Sequence, residues 1–308
     1  GSSGSSLLTQ LHFFPPLQKP VTMGAALCGI AAGILKDRMR AADENDDPDH
    51  PDGVPQDGSV NVFMVCIALD YPGTDNQLTC TKDGNNMMQL WQACGQPQEH
   101  VRQLFNNDGN KEQVISAVEE LSQMAGEGDY FIFYYSGHGT SVPDKDGDED
   151  DGKDEALCLV TPEGKIDWGA FMTDDELAAL LSEHFPEQKV IILSDCCHSG
   201  TISDFESGAW GDIQAISISG CTDAQTSGDT GNGGIFTHSL LMAIADFSSN
   251  DDASYSVGQL YNKTLEFDDN VFDSQQDITA ANSTGLASIS GMAWPLIPQG
   301  GYQAPWQQ

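Results

Sequence analysis

A chain of 308 residues with 39% hydrophobic content can bury a large α/β core, which excludes an intrinsically disordered chain. Forty-seven acidic residues against twelve basic ones leave a formal charge of −35. A surface so acidic disfavours nucleic acid and stable membrane insertion as partners, and attracts cations, whether metal ions or basic peptides.

Residues 1–6, Gly-Ser-Ser-Gly-Ser-Ser, read as a tag and are set aside. The apolar run 21–35 is short for a bilayer span. Lys36, Arg38 and Arg40 follow it where a signal peptide would show a cleavage site, so an N-terminal helix or pro-segment is the preferred reading over a signal-peptide core. Residues 43–59, rich in Asp, Pro and Gly, read as an acidic linker. The run 60–69 is apolar and β-branched enough for a buried strand. Residues 83–94 and 111–125 fit helices, and 130–135 is a second buried strand. Residues 139–154 form a long acidic loop, and 156–160 a short strand. Thr173 caps a helix running to about His184, with Glu176 completing a capping box. Residues 190–194 and 215–219 are further buried strands, and 235–245 a further helix. Strands apolar on both faces and alternating with helices predict a mostly parallel central sheet with helices on both faces. The aromatic C-terminal stretch, Trp294 to Trp306, fits a packed cover or a disordered end equally well.

The eight cysteines, 28, 66, 80, 94, 158, 196, 197 and 221, form no CxxC pair and no short disulfide framework. In a chain this long they read as reduced thiols, which points to a cytoplasmic protein. In a parallel sheet, ligands bind beyond the carboxyl ends of the strands. Strand 130–135 runs into Ser136-Gly137-His138-Gly139, and strand 190–194 into Asp195-Cys196-Cys197-His198-Ser199-Gly200. A histidine and a cysteine at neighbouring strand ends describe a thiol–imidazole pair: the thiolate attacks, and the histidine activates it and protonates the leaving amine. Taken singly, a His or Cys is more often structural.

Those two segments, in that order, resemble the paired signature of the metacaspases, within the caspase-like clan; the family's usual Asp-Ser-Cys-His-Ser-Gly has Cys196 in place of its serine here. The acidic stretch Asp146-Gly147-Asp148-Glu149-Asp150-Asp151-Gly152-Lys153-Asp154-Glu155, the helix start Asp174-Asp175-Glu176, and Ile218-Ser219-Gly220-Cys221-Thr222-Asp223-Ala224-Gln225-Thr226-Ser227 extend the resemblance over roughly residues 60–290. It implies a caspase-like three-layer α/β sandwich in a single chain. Residues 1–59 would be tag, pro-segment and linker, 60–205 the large-subunit-like catalytic portion, and 206–308 the small-subunit-like portion with its tail. It further implies a monomeric cysteine endopeptidase with His138 and Cys197 as catalytic dyad, and an oxyanion held by the backbone N–H groups of Gly139 and Cys197. Strand alternation agrees with Cys197 as nucleophile: Asp195 and Cys197 share a face, and Cys196 points away as a small buried hydrophobe. A disulfide between the two is the redox alternative.

By the same resemblance, Cys80, Asp83, Ser136 and Asp195 line the primary specificity pocket. Two carboxylates there select peptide or protein substrates with Arg or Lys before the scissile bond. Asp83 is also placed to cap its helix. Calcium is the implied cofactor, at Asp154, Asp174, Asp175 and Asp204. An EF-hand is the first rival, since Asp144, Asp146, Asp148, Asp150 and Glu155 fall at ligand positions of its loop. It fails because Glu149 stands where the loop needs Gly, and because strands flank it. A solvated acidic loop, with Asp174 and Asp175 favouring a helix N-terminus, needs no metal at all. Two other functions stay open: a calcium-binding scaffold with little activity, and a clan relative with another specificity, such as one for Asn. Met87-Met88 and Leu90-Trp91 read as helix core, and His184 and His238 as packed or surface helix residues.

Overall fold

The computed structural model describes residues 60–143, 152–197, 200–221, 231–250, 254–272, 274, 276–285 and 291–305. The tag, pro-segment and linker, residues 144–151 of the acidic loop, His198, residues 222–227 and Trp306 lie outside the described residues.

Three strands, β1 (Val62–Ala68), β3 (Tyr130–Ser136) and β7 (Lys189–Asp195), are buried almost end to end. Their apolar runs leave no face for water, so each must be covered on both sides. With β2 (Val101–Phe105), β8 (Ala215–Ser219) and β9 (Thr279–Asn282) they form a six-stranded sheet in the order β2-β1-β3-β7-β8-β9. The first five are parallel and β9 is antiparallel. A separate three-stranded antiparallel sheet joins β4 (Gly139–Pro143), β5 (Lys153–Leu157) and β6 (Met172–Thr173).

Among the described residues, five α-helices cover the large sheet. On one face, α1 (Cys80–Ala93), α4 (Ile235–Ser249) and α5 (Val257–Phe267) pack on Met64, Ile132, Leu193 and Ile216. On the other, α2 (Lys111–Ser122) and α3 (Asp174–His184) pack on Val65, Phe131, Phe133 and Ile192. This is the expected three-layer sandwich. The predicted capping box at α3 forms, with the Thr173 hydroxyl accepting the Glu176 N–H and the Glu176 carboxylate accepting the Thr173 N–H. Met87, Met88, Leu90 and Trp91 are core residues of α1.

Several elements differ from the sequence reading. The loop expected over 139–154 begins and ends in strands, β4 and β5, and the short strand lies at Lys153–Leu157 rather than 156–160. Helix α1 begins at Cys80, three residues earlier than expected, because Asp70 at the end of β1 supplies its first turn with acceptors: its carboxylate accepts the Thr81 N–H and hydroxyl at 2.8 and 2.6 Å. The C-terminal stretch is a packed cover over residues 291–305. Trp294 and Leu296 are fully buried beside α4 and α5, and the Gln299 N–H donates to the Ala93 carbonyl at the end of α1.

Candidate active site

Strands β3 and β7 lie side by side in parallel register, with Ser136 paired to Asp195. His138 and Cys197 each stand two residues beyond that pair, so the topology carries both to the same carboxyl edge of the sheet. The segments stay together past the strands: the Gly137 N–H donates to the Asp195 carbonyl at 3.3 Å, and a β-carbon at Gly139 would collide with the Cys197 carbonyl. Gly139 is therefore a close approach that any side chain would prevent.

Strand β7 ends at Asp195, and Cys196 and Cys197 follow in a bend. Leu193 belongs to the core under α1 and α4, and Asp195, two residues on, bonds Thr237 of α4. Cys196 lies in the opposite core, 1% exposed, while Cys197 is partly exposed. Only one of the two adjacent thiols is thus offered to solvent. On the histidine, Nε2 lies 2.6 Å from the Asn76 carbonyl oxygen. A carbonyl only accepts, so in the neutral ring Nε2 carries the hydrogen and Nδ1 keeps the lone pair that a general base needs.

Beside this edge, on the α1/α4 face, two buried carboxylates converge. Asp83 is fully buried and accepts the Ser136 hydroxyl at 3.0 Å and the Gly234 N–H at 2.9 Å. Asp195 accepts the Thr237 N–H at 2.9 Å and its hydroxyl at 2.7 Å, both on Oδ2. Gly234 is the N-cap of α4, so both carboxylates meet the N-terminal end of that helix. A β-carbon at Gly234 would fall on the Asp195 carboxylate. Tyr134, whose hydroxyl contacts that of Thr237 at 2.7 Å, has its pKa pushed well above the usual phenol range, first by burial and then by Asp83 and Asp195. Asp83 is not the helix cap, since Thr79 occupies that position and Asp83 sits one turn in. Cys80, buried, is the first residue of α1 and precedes Asp83 by three, on the same side of the helix.

Sequence reasoning did not single out Tyr71, Asn76, Tyr134, Gly234 or Thr237. A Gly-Gly pair just before an apolar helical run was the available signal for the last two, because glycine marks backbone that something approaches closely. His238, read as an ordinary helix residue, is 1% exposed and places Nε2 3.0 Å from the Asn232 carbonyl beside this pocket.

Of the four residues expected to hold metal, three come together. Asp154 of β5 and Asp174 and Asp175 at the start of α3 present ligand oxygens all within 4.8 Å of one another. Asp154 and Asp174 are buried. Burial pushes the Asp174 carboxyl up to about 8, although the N–H groups of Glu155 and Asp175 pull it the other way. An all-carboxylate donor set, buried at Asp154 and Asp174 and partly exposed at Asp175, could hold a hard divalent cation, whose charge would restore the ionised form. Asp204 is not in that group. Its Oδ1 accepts the Ser207 N–H at 3.2 Å, and its backbone takes a left-handed φ of 44°. The next residue along β5 ties the cluster to the loop after Cys197, with the Thr201 hydroxyl donating to the Glu155 carboxylate at 2.7 Å.

An α/β sandwich with histidine and cysteine at adjoining strand ends, and paired carboxylates beside them, defines a caspase-like protein. The caspase domain family matches residues 64–277, and the chain belongs to that family. Metacaspases are among its curated relatives. It is 33% identical to Metacaspase-4 of Arabidopsis thaliana over 148 residues, covering 46% of this chain and 34% of that protein. It is 28% identical to Metacaspase-1 of Kluyveromyces lactis over 76% of this chain and 57% of that protein, and 28% identical to Metacaspase-2 of Trypanosoma brucei brucei over 67% and 68%. The matched part thus spans from about a third to about two thirds of these relatives' length. A solved protein of Geobacter sulfurreducens shares the fold, with a TM-score of 0.53 and 23% identity over 79% of this chain and 99% of that one. Among the described residues no helix is long and apolar enough to cross a membrane.

Proposed function

We propose that the protein is a cysteine endopeptidase that cleaves after Arg or Lys and requires calcium. The observation that carries the reading is the pairing of Ser136 with Asp195 across β3 and β7, which puts His138 and Cys197 at one sheet edge with Asp83 and Asp195 beside them. In the reaction, Nδ1 of His138 takes the thiol proton of Cys197, and the thiolate adds to the scissile carbonyl carbon. The backbone N–H groups of Gly139 and Cys197 hold the oxyanion. His138 then returns the proton to the leaving amine, and water hydrolyses the thioester to release the acid and regenerate the thiol. The fork of an arginine matches carboxylates, which favours Arg over Lys before the scissile bond.

Calcium would be held by Asp154, Asp174 and Asp175. It would supply charge that lets this buried cluster ionise, and so fix β5 against α3; the Glu155–Thr201 bond carries that order toward the loop after Cys197. Cleavage of Arg-, Lys-, Asn- and Asp-terminated fluorogenic peptides, with calcium and with chelator, tests the reading. Arg and Lys peptides are expected to be cut only with calcium, at high micromolar to millimolar levels, on the order of an open site built from separate segments. Replacing Asp174 and Asp175 by Ala should remove the response. Equal activity in chelator would contradict it.

Such an enzyme can cut itself only after its own basic residues, and none lies between 190 and 262. Caspases are split near residues 205–213 of this numbering, so here Cys197 and the small-subunit-like portion would stay joined and activation would be conformational. Self-cleavage is expected after Lys36, Arg38, Arg40 or Lys145. Lys153, first read as loop, begins β5 and pairs with Pro143, which disfavours cutting there. Lys82 donates to the Gly231 carbonyl at 2.8 Å and Lys189 begins β7, so neither is expected to be cut. Fragment masses after incubation with calcium check this. A calcium-dependent fragment ending at residues 198–214, absent in Cys197→Ala, would contradict either the single-chain reading or the basic specificity.

A further inference from the structure

Two buried tyrosines hold the backbone of His138 from both sides. The Tyr71 hydroxyl accepts the His138 N–H at 2.9 Å, and the Tyr135 hydroxyl donates to the His138 carbonyl at 2.7 Å. The Tyr71 hydroxyl also lies 2.9 Å from the Cys158 carbonyl, to which it donates, and 3.0 Å from the Tyr135 oxygen. The Tyr71 ring packs against the imidazole itself, centroid to centroid 4.6 Å. Gly137 makes room for both phenols, since a β-carbon there would lie 2.5 Å from the Tyr135 oxygen and 2.8 Å from the Tyr71 oxygen.

Tyr71 reaches this place in a left-handed backbone conformation, φ 52°. For a bulky residue that costs on the order of 1–3 kcal/mol and survives only where the surroundings enforce it. Here the Thr74 hydroxyl donates to the Tyr71 carbonyl at 2.8 Å, and the Leu78 N–H closes the turn on the Asp70 carbonyl at 2.8 Å. The same turn supplies the Asn76 carbonyl that fixes the imidazole tautomer. Ring contact, backbone acceptor and tautomer lock therefore all come from residues 71–76.

We propose that Tyr71 is a positioning residue for His138, and that Tyr135 completes the clamp by holding the carbonyl side of the same residue. The role rests on the peptidase reading only in naming His138 as the base; the clamp is geometric. Burial first, and then the neighbouring Cys158 thiol, pushes the Tyr71 phenol well above its ordinary range, so the clamp stays neutral and ungated by pH. Of the two tyrosines, Tyr71 should matter more. The His138 carbonyl has a second donor, the Cys158 N–H at 3.0 Å, whereas its N–H is held by Tyr71.

The test uses Tyr71→Phe and Tyr135→Phe in the full chain, with three readouts: kcat and KM on an Arg peptide, the melting temperature, and the pH dependence of Cys197 alkylation by iodoacetamide, localised by peptide mass. Tyr71→Phe should lower kcat about tenfold with KM within about twofold, as a small displacement of a catalytic group does. The alkylation midpoint should rise by about one unit, the same tenfold factor in the balance between protonation states. Tyr135→Phe should show the same direction at about threefold. A Tyr71→Phe protein that melts lower but keeps both kcat and the alkylation midpoint would make the tyrosine merely structural and overturn the proposal. If Tyr71→Phe does not fold, Tyr135→Phe decides alone, and unchanged kcat and midpoint overturn it. If the wild type cuts no peptide yet its alkylation midpoint lies below that of an ordinary thiol and rises in Tyr71→Phe, the peptidase reading fails and the clamp stands.

Discussion

Cys197→Ala and His138→Ala are each expected to lower peptide hydrolysis by about 10⁴-fold or more, because members of a nucleophile–base unit act together and either loss removes the whole step. Cys196→Ala should retain most of the activity. Its thiol is buried in the α2/α3 core, away from the pocket face, and removing it should cost about 1 kcal/mol of stability as a small cavity. The comparison of the three variants is sharp because Cys196 and Cys197 are neighbours in sequence and differ only in the face the chain gives them. Activity in Cys197→Ala together with its loss in Cys196→Ala would reverse the assignment.

Asp83→Asn is expected to reduce kcat/KM on Arg and Lys peptides by about 10²-fold, the effect of removing one charge from a buried ion pair. The amide keeps the size of the carboxylate, and its oxygen can still accept the Ser136 hydroxyl or the Gly234 N–H, so the fold at the start of α4 should hold. Alkylation of Cys197 should be unaffected, since Asp83 lies on the specificity side of the site. Loss of activity toward all peptides with normal alkylation would confirm a binding defect; unchanged selectivity for Arg would remove Asp83 from the pocket.

The sheet was legible wherever burial is two-sided. The runs around Val65, Phe133 and Ile192 have no polar face, and their strand ends marked the site. The edges were not legible. In β2, Val101-Arg102-Gln103-Leu104-Phe105 is only half buried, and β9, Thr279-Ala280-Ala281-Asn282, has almost no apolar signal, because an edge strand owes its place to one neighbour. β4 was hidden by Pro143 and its polar Thr140 and Ser141, which are tolerated because its partner is a short hairpin strand. Strand alternation fixed the faces of Asp195 and Cys196 correctly. The partners of Asp195, Asp83 and His138 were not legible, since Thr237, Gly234 and Tyr71 respectively reach them from segments distant in sequence. Asp204, which the family resemblance grouped with the acidic cluster, stands outside the three-carboxylate group, with its Oδ1 accepting the Ser207 N–H.

The central claim, that Cys197 is a nucleophile reached through a pocket for a basic side chain, is tested most directly by covalent trapping. The protein with calcium would be incubated with a peptidyl chloromethyl ketone ending in Arg, and the modified residue located by peptide mass. The account predicts one adduct, on Cys197, absent with the matching Asn reagent and absent in Cys197→Ala. An adduct on Cys196, or equal labelling by the Arg and Asn reagents, would contradict it.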